Sequence, residues 1–232
     1  MDVVHGGFSR AMSLLVTLDP EVLGITALSI QISAAATLVS LFVGISAGVA
    51  VALSRFPGKA LVVSLVNTGM GLPPVVVGLF VSILLWRSGP LGSLGLLYTP
   101  TAIVIAQAII ATPIVMGITV SAVQSLPPTL NLQILALGAT RAQRQWLLVK
   151  EARLPLMAAV MAGFGGVISE VGASIMVGGN IRGSTRVLTT ATVMEVGRGN
   201  FEVAIALSFI LLAASLGVNY LLTIVQQRGR PR

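Results

Sequence analysis

The sequence contains no cysteine and a single histidine, His5, among its 232 residues. The first absence removes disulfides, thiolate nucleophiles, iron–sulfur clusters and cysteine-ligated zinc, and the second removes any metal site built from several imidazoles. Charge is scarce too. Asp, Glu, Lys and Arg make up 9% of the chain, against about 25% in an ordinary soluble domain, which excludes a soluble enzyme of common composition. What fills the sequence is apolar: 55% of residues are hydrophobic, in runs long enough to cross a bilayer. The net charge of +7 comes from basic residues scattered singly between those runs, without the clustering of a nucleic-acid surface. The chain reads as an all-α integral membrane protein.

A spanning helix takes about 20 mainly apolar residues. Apolar intervals of that length predict five spans, over residues 22–54, 60–86, 100–126, 154–178 and 203–226. The Gly-rich stretch from Ser88 to Gly95 and the pair Pro127-Pro128 bracket the third. Five crossings put the termini on opposite sides, and the Lys and Arg tally orients them. With the N-terminus outside, the inner face carries Arg55, Lys59, Arg141, Arg144, Lys150, Arg153, Arg228, Arg230 and Arg232, and the outer face Arg10, Arg87, Arg182, Arg186 and Arg198. Nine against five favours an external N-terminus and a cytoplasmic C-terminus. Asp19 as N-cap, Pro20 at the first helical position and Glu21 in the first turn mark the start of the first span. Before it, Phe8, Met12, Leu15 and Val16 share a helical face, so residues 7–18 are expected to lie in the interface, an unstructured terminus being the alternative. A cleaved signal peptide is not expected, because this segment carries Asp2, His5 and Arg10 and runs into Asp19-Pro20-Glu21 rather than a small-residue cleavage site.

In the first span Ser40, Gly44, Gly48 and Ala52 recur every fourth residue, and in the fourth span Gly165, Ser169 and Ala173 do the same. Such ridges let helix backbones approach where lipid supplies no hydrophobic force between helices. The second span holds Pro73 and Pro74 between Gly69 and Gly78, which is either an interrupted helix beside a transport pathway or a packed kink. Pro113, six residues beyond the polar Gln107, poses the same choice in the third span. Glu170 is the one carboxylate inside a predicted span. Ionisable groups at that depth are costly and face a bundle interior, a partner or water. Two readings stand: Glu170 lies near the pathway or a subunit interface, bonded to Ser169, Ser174 or another helix, or it is a structural carboxylate satisfied by its partners. Pro73, Pro74, Gln107 and Glu170 are therefore the pathway or gate candidates.

Between the third and fourth spans, residues 127–153 are too polar to cross and too regular for a plain loop. Asn131 to Leu137 form a short predicted helix that stops at Gly138, a residue suited to the left-handed conformation. Thr140-Arg141-Ala142-Gln143 then reads as a capping box opening a second helix through Trp146, Lys150 and Glu151. Two short helices meeting at Gly138 make a compact cytoplasmic knob, a shape able to receive force from a soluble partner.

Here the sequence resembles the membrane permease subunits of ATP-binding-cassette (ABC) importers that work with an extracytoplasmic binding protein. Leu137-Gly138-Ala139-Thr140 and Leu154-Pro155-Leu156 are similar to the family's cytoplasmic coupling signature, while Leu132-Gln133-Ile134 depart from its usual Glu-Ala-Ala. The stretch from Leu72 to Gly78, Gly89-Pro90-Leu91-Gly92, Leu96 to Thr99, Ala106-Gln107, Ile168 to Ala173, Met176 to Ile181 and Thr185 to Thr190 resemble the oxyanion branch, most of all tungstate and molybdate importer permeases. The resemblance covers roughly residues 25–225.

It implies a type I, molybdate/methionine-like permease fold in the cell membrane of a prokaryote, a second copy of this chain, two cytoplasmic ATPase subunits and an external oxyanion-binding protein. It also implies an ATPase-coupling role for Leu137, Gly138, Ala139, Thr140, Arg141 and Gln143. Gly58-Lys59 is followed by Ala60 and lacks the upstream glycine of a phosphate loop, so ATP and Mg are expected on the partner ATPase and no cofactor on this chain. The spans offer no Arg or Lys as an anion ligand, which favours a low-affinity passage. Asn180, Arg182 and Arg186, in the outer segment between Gly178 and Glu202, are candidates for binding-protein docking or anion access, with a plain solvated loop as the alternative. Competing functions are a secondary transporter or channel without an ATPase, against which stands the lack of an inverted repeat, and an ABC permease for another anion such as sulfate. A membrane-embedded enzyme is disfavoured, since neither a nucleophile–base pair nor a metal cluster is visible.

Overall fold

The computed structural model describes residues 2–17 and 19–228, with side chains for all of these except 2–4 and 14–16. Among the described residues every regular element is helical. Three helices are long and apolar enough to cross a membrane unbroken: α2 (Pro20–Leu53), α5 (Pro100–Gln124) and α11 (Phe201–Arg228). The first helix, α1 (Asp2–Val16), precedes them. Two bent pairs bring the candidate spans to as many as five if each pair is one span: α3 (Lys59–Met70) with α4 (Pro74–Leu85), turning through 99°, and α8 (Arg153–Ile168) with α9 (Gly172–Gly178), turning through 59°. Between α5 and α8 lie α6 (Pro128–Ala136) and α7 (Arg141–Glu151), and α10 (Leu188–Gly197) joins α9 to α11.

Each boundary has a local cause. The Asp19 carboxylate accepts from the Glu21 and Val22 amides (3.0 and 3.1 Å) and Pro20 supplies a pre-set φ, so α2 starts there. Thr99 caps α5 in the same way, accepting from the Ala102 amide at 3.3 Å, with Pro100 next in line. Pro113 does not end α5: the helix runs through it, and its ring lies where a Cβ on Gly69 of α3 would come within 2.9 Å. That answers the choice posed by Pro113 in favour of a packed residue. At Pro73-Pro74 the helix is interrupted, and the chain turns through 99°.

The α2–α5 pair forms the spine. Ser40, Gly44 and Gly48 are buried on α5, as the small-residue spacing predicts. A Cβ on Gly44 would come within 2.8 Å of the Val115 side chain, and one on Gly48 within 2.7 Å of the Thr119 side chain, so these two short side chains of α5 seat directly on the α2 main chain. In the fourth span the predicted ridge fails. The helix breaks after Ile168, Gly165 faces open space and Ser169 is exposed, while Gly163 supplies the close approach, where a Cβ would come within 3.2 Å of a Val115 methyl. The absence of proline hid this break; a cap-forming Ser-Glu followed by Gly172 inside an apolar run was its sequence signal.

One core cluster joins α2, α4, α5 and α9 through Ile32, Val81, Ile103, Ala106 and Val177. A second seats Leu188 and Ala191 of α10 on Val22, Ile25, Leu207 and Ile210. A third, Ala122, Ala152 and Leu156, closes the end where α5 hands over to α6–α7. These contacts put Arg55, Lys59, Arg141, Arg144, Lys150, Arg153 and Arg228 at one end of the bundle and Arg87, Arg182 and Arg186 at the other. Arg230 and Arg232 fall outside the described residues, as do the side chains of Leu15 and Val16. The segment expected to lie in the interface is helix α1, and it packs on α11: Phe8 meets Phe209 edge-on at 5.6 Å, and a Cβ on Gly7 would collide with Ile205.

Candidate functional site

Both helix breaks stand at the same height in the bundle and touch. A Cβ on Gly78 of α4 would sit 2.7 Å from the Ala173 Cα, and one on Gly172 would sit 2.7 Å from a Val75 methyl. Irregular backbone inside a bilayer is tolerated only against protein or a water-filled cavity, and two interruptions meeting mid-span concentrate such backbone at one level. Asn67, Thr68 and Ser169, which flank the breaks, are exposed, and so are Pro73 and Pro74 themselves.

Glu170 is what holds the α8–α9 break in shape. Its carboxylate accepts from the Ala173 amide at 2.8 Å, the Ser174 amide at 3.0 Å and the Ser174 hydroxyl at 2.8 Å. It thereby satisfies the orphan donors that open α9 and places negative charge at a helix N-terminus. Its own carbonyl accepts from the Thr189 hydroxyl at 2.9 Å, tying the break to α10. The Gln107 amide of α5 donates to the Ser174 oxygen at 3.3 Å, extending the network to the spine. Glu170 and Gln107 are 5% and 3% exposed, so this is a buried polar cluster, and the Gln107 Oε1 has no hydrogen-bond partner in it. Of the partners predicted for Glu170, Ser174 is bonded to it, whereas Ser169 turns back to the Gly165 carbonyl at 2.8 Å.

At the end carrying the basic residues, α6 and α7 form the knob. Gly138 adopts φ +75°, a conformation that L side chains rarely take. Around it the Gly138 amide donates to the Leu135 carbonyl (3.0 Å) and the Ala139 amide to the Ile134 carbonyl (3.4 Å), a Schellman closure. The capping box is complete: the Thr140 amide donates to the Gln143 side chain at 2.8 Å, and the Gln143 amide to the Thr140 hydroxyl at 3.3 Å. Ile134 and Leu148 are buried beneath, while Leu137 at the tip is 87% exposed and Arg141 is exposed beside it. Leu132 and Leu135 of α6 and Trp146 of α7 are exposed on the same two helices.

At the opposite end the segment between α9 and α10 is tied down rather than loosely solvated. The buried Thr185 hydroxyl donates to the Gly178 carbonyl at 2.5 Å and accepts from the Ile181 amide at 2.9 Å. Asn180, at φ +51°, accepts from the Thr190 hydroxyl at 2.9 Å, which makes it a structural link. Arg182 forks onto both carboxylate oxygens of Glu21, and Arg186 reaches the same carboxylate at 3.5 Å. The hydrogen bond and the charge of Glu21 raise the Arg182 pKa above its already high ordinary value, so Arg182 remains a cation at every working pH. A cavity of about 550 Å³ opens between these arginines, Ser184 and the Gln31 face of α2. Glu21 was absent from the predicted site residues; its place in the first turn of α2 pointed to helix-dipole chemistry and concealed the long-range pairing.

The family described as "Binding-protein-dependent transport system inner membrane component" matches residues 40–231. The chain is 46% identical over 202 residues to a probable anion ABC transporter permease protein of Haloferax volcanii, covering 85% of this chain and 87% of that one. It is 40% identical over 227 residues to the tungstate uptake system permease protein TupB of Peptoclostridium acidaminophilum, covering 98% of this chain and 100% of the relative. Among solved structures it is similar to the crystal structure of an amino acid ABC transporter with histidines, at a TM-score of 0.66 and 20% identity, over 92% of this chain and 96% of the other. The last likeness concerns the fold alone.

Proposed function

The chain belongs to the family of inner membrane components of binding-protein-dependent transport systems, and from that footing we propose that it is the membrane-spanning subunit of an ATP-driven importer of an oxyanion, tungstate first and molybdate second. The full-length identity to a tungstate uptake permease carries this reading. In it the knob faces the cytoplasm, as the positive-inside rule asks of the end holding Arg141, Arg144, Lys150 and Arg153. The exposed Leu137 and the Gly138 turn seat in one of two ATPase subunits, which hydrolyse ATP with Mg; Ala139, Thr140, Arg141 and Gln143 complete the contact. A second copy of the chain supplies the other half of the pathway. The meeting breaks at Pro73-Pro74 and Glu170, backed by Gln107, form the gate region. Glu170 acts there through backbone geometry: a charged carboxylate facing the path would repel an anion, and this one is spent on the Ala173 and Ser174 donors. The opposite end, with Arg182 and Arg186, receives the anion from an external binding protein.

The test is reconstitution. Proteoliposomes holding the chain, its cognate ATPase and its binding protein are expected to accumulate tungstate only with ATP inside the compartment that the knob faces. Excess molybdate is expected to compete, with sulfate competing less. Uptake that persists without the ATPase, or that ignores ATP, would remove the proposal in favour of a secondary carrier.

A further inference from the structure

A groove at the knob end has no part in this scheme. It opens between α2, α7 and α8, has a volume of about 340 Å³, and divides cleanly by polarity. Its walls include Leu41, Ile45 and Val160, and its rim carries Trp146, Lys150 and Arg153. Val160 lies seven residues into α8 from Arg153, so the apolar walls run about 10 Å from the cationic rim toward the bundle's middle at 1.5 Å per residue. The Lys150 ammonium stands 5.0 Å from the centre of the Trp146 ring, and both side chains are exposed. Trp146 therefore stands beside the cationic rim, and tryptophan is a residue that favours the level of lipid headgroups.

We propose that this groove binds one anionic phospholipid, its headgroup phosphate against Lys150 and Arg153 and an acyl chain along Leu41, Ile45 and Val160. Charge complementarity and vertical order select the occupant. The cations sit only at the rim, where a headgroup lies, and the walls beneath are aliphatic, where only a hydrocarbon chain is at home; basic pockets between spans at a membrane face are bound in this manner by acidic headgroups. The lipid would bridge α7 to the two spans beside it, so occupancy stiffens the seat of the knob. This site stands independently of the cargo and of the ATPase.

The experiment uses the purified full-length chain in detergent, delipidated and titrated with phosphatidylglycerol or phosphatidylcholine, with bound lipid counted by native mass spectrometry. Each cation near a headgroup favours an anionic lipid by about fivefold, so phosphatidylglycerol is expected to bind roughly twentyfold to thirtyfold more tightly. Lys150→Gln is expected to cut that preference about fivefold and Lys150→Arg to keep it; a melting curve reports whether each variant is folded. Leu41→Trp, which fills the groove below the rim, is expected to abolish the tight binding of phosphatidylglycerol. Equal affinity for the two lipids, or an unchanged preference in a folded Lys150→Gln chain, overturns the proposal. Displacement of the lipid by inorganic phosphate would mark a simple anion site, and a lipid-free groove closed by a second copy would mark a protein interface; either result also overturns it.

Discussion

Replacing Glu170 by leucine tests the account of the broken fourth span. The carboxylate satisfies three donors at once, the Ala173 and Ser174 amides and the Ser174 hydroxyl, at 2.8 to 3.0 Å. A buried donor that loses its partner costs about 1–3 kcal/mol, so three give a gross loss of roughly 4–6 kcal/mol after partial relaxation. The leucine recovers about 2 kcal/mol by burying apolar surface. The net expectation is a destabilisation of about 2–4 kcal/mol, localised at the start of α9. Glutamine keeps one acceptor oxygen and turns an amide donor toward a site that offers donors, so Glu170→Gln is expected to cost about 1–2 kcal/mol. Stability is read by denaturant titration of the purified chain in detergent, and locality by hydrogen exchange at the Ala173 and Ser174 amides. Those amides should exchange faster in the glutamine variant and fastest in the leucine variant, with transport falling in the same order. If the leucine variant matches the parent in stability and in protection of both amides, the carboxylate does not hold the break, and the reasoning fails at its first step.

Three further substitutions probe the rest of the scaffold. Gly138→Pro imposes φ near −65° on a residue held at +75° and is expected to abolish ATP-driven uptake while leaving the proposed dimer assembled on size exclusion; undiminished uptake would remove the coupling assignment. Gly48→Leu forces a side chain into Thr119 and the Met116 carbonyl and is expected to cost more than about 2 kcal/mol or to abolish membrane accumulation, whereas Gly24→Ala, facing open space on the same helix, should be neutral or stabilising by up to about 1 kcal/mol. Thr140→Ala removes half of the α7 capping box and is expected to lower stability by about 0.5–2 kcal/mol, seen as increased exchange of the Gln143 amide.

The three unbroken apolar helices α2, α5 and α11, the Asp19 start of α2, the Gly44–Gly48 ridge and the capping box were legible because each rests on short-range chemistry: a run of apolar residues, a cap, a fixed helical spacing. The knob could be drawn from Gly138 and Thr140-Arg141-Ala142-Gln143 for the same reason. What stayed hidden was produced by contacts distant in sequence. The break after Ile168 is tied to α10 by the Thr189 hydroxyl on the Glu170 carbonyl and to α5 by Gln107 on Ser174, 19 and 67 positions apart. Glu21 meets Arg182 across 161 positions, and no local pattern announces a pairing of that reach. Pro113, which as a residue type argues for a break, is absorbed by the hollow at Gly69, a feature of another helix. Wherever one segment decides, the sequence was enough; wherever two distant segments decide together, the tertiary arrangement was needed.

The close contact of α2 with α5 has a mechanical consequence. Where Val115 and Thr119 seat on Gly44 and Gly48, a single layer of short, β-branched side chains, stiff at χ1, separates the two backbones and leaves little to yield under load. The pair therefore behaves as a strut of roughly 35–50 Å at 1.5 Å per residue, running from the Lys59 end to the Thr99 end. The irregular backbone lies beside the strut instead, at Gly71–Pro73 and Ser169–Val171, so the straight pair is the frame against which the two broken helices are set.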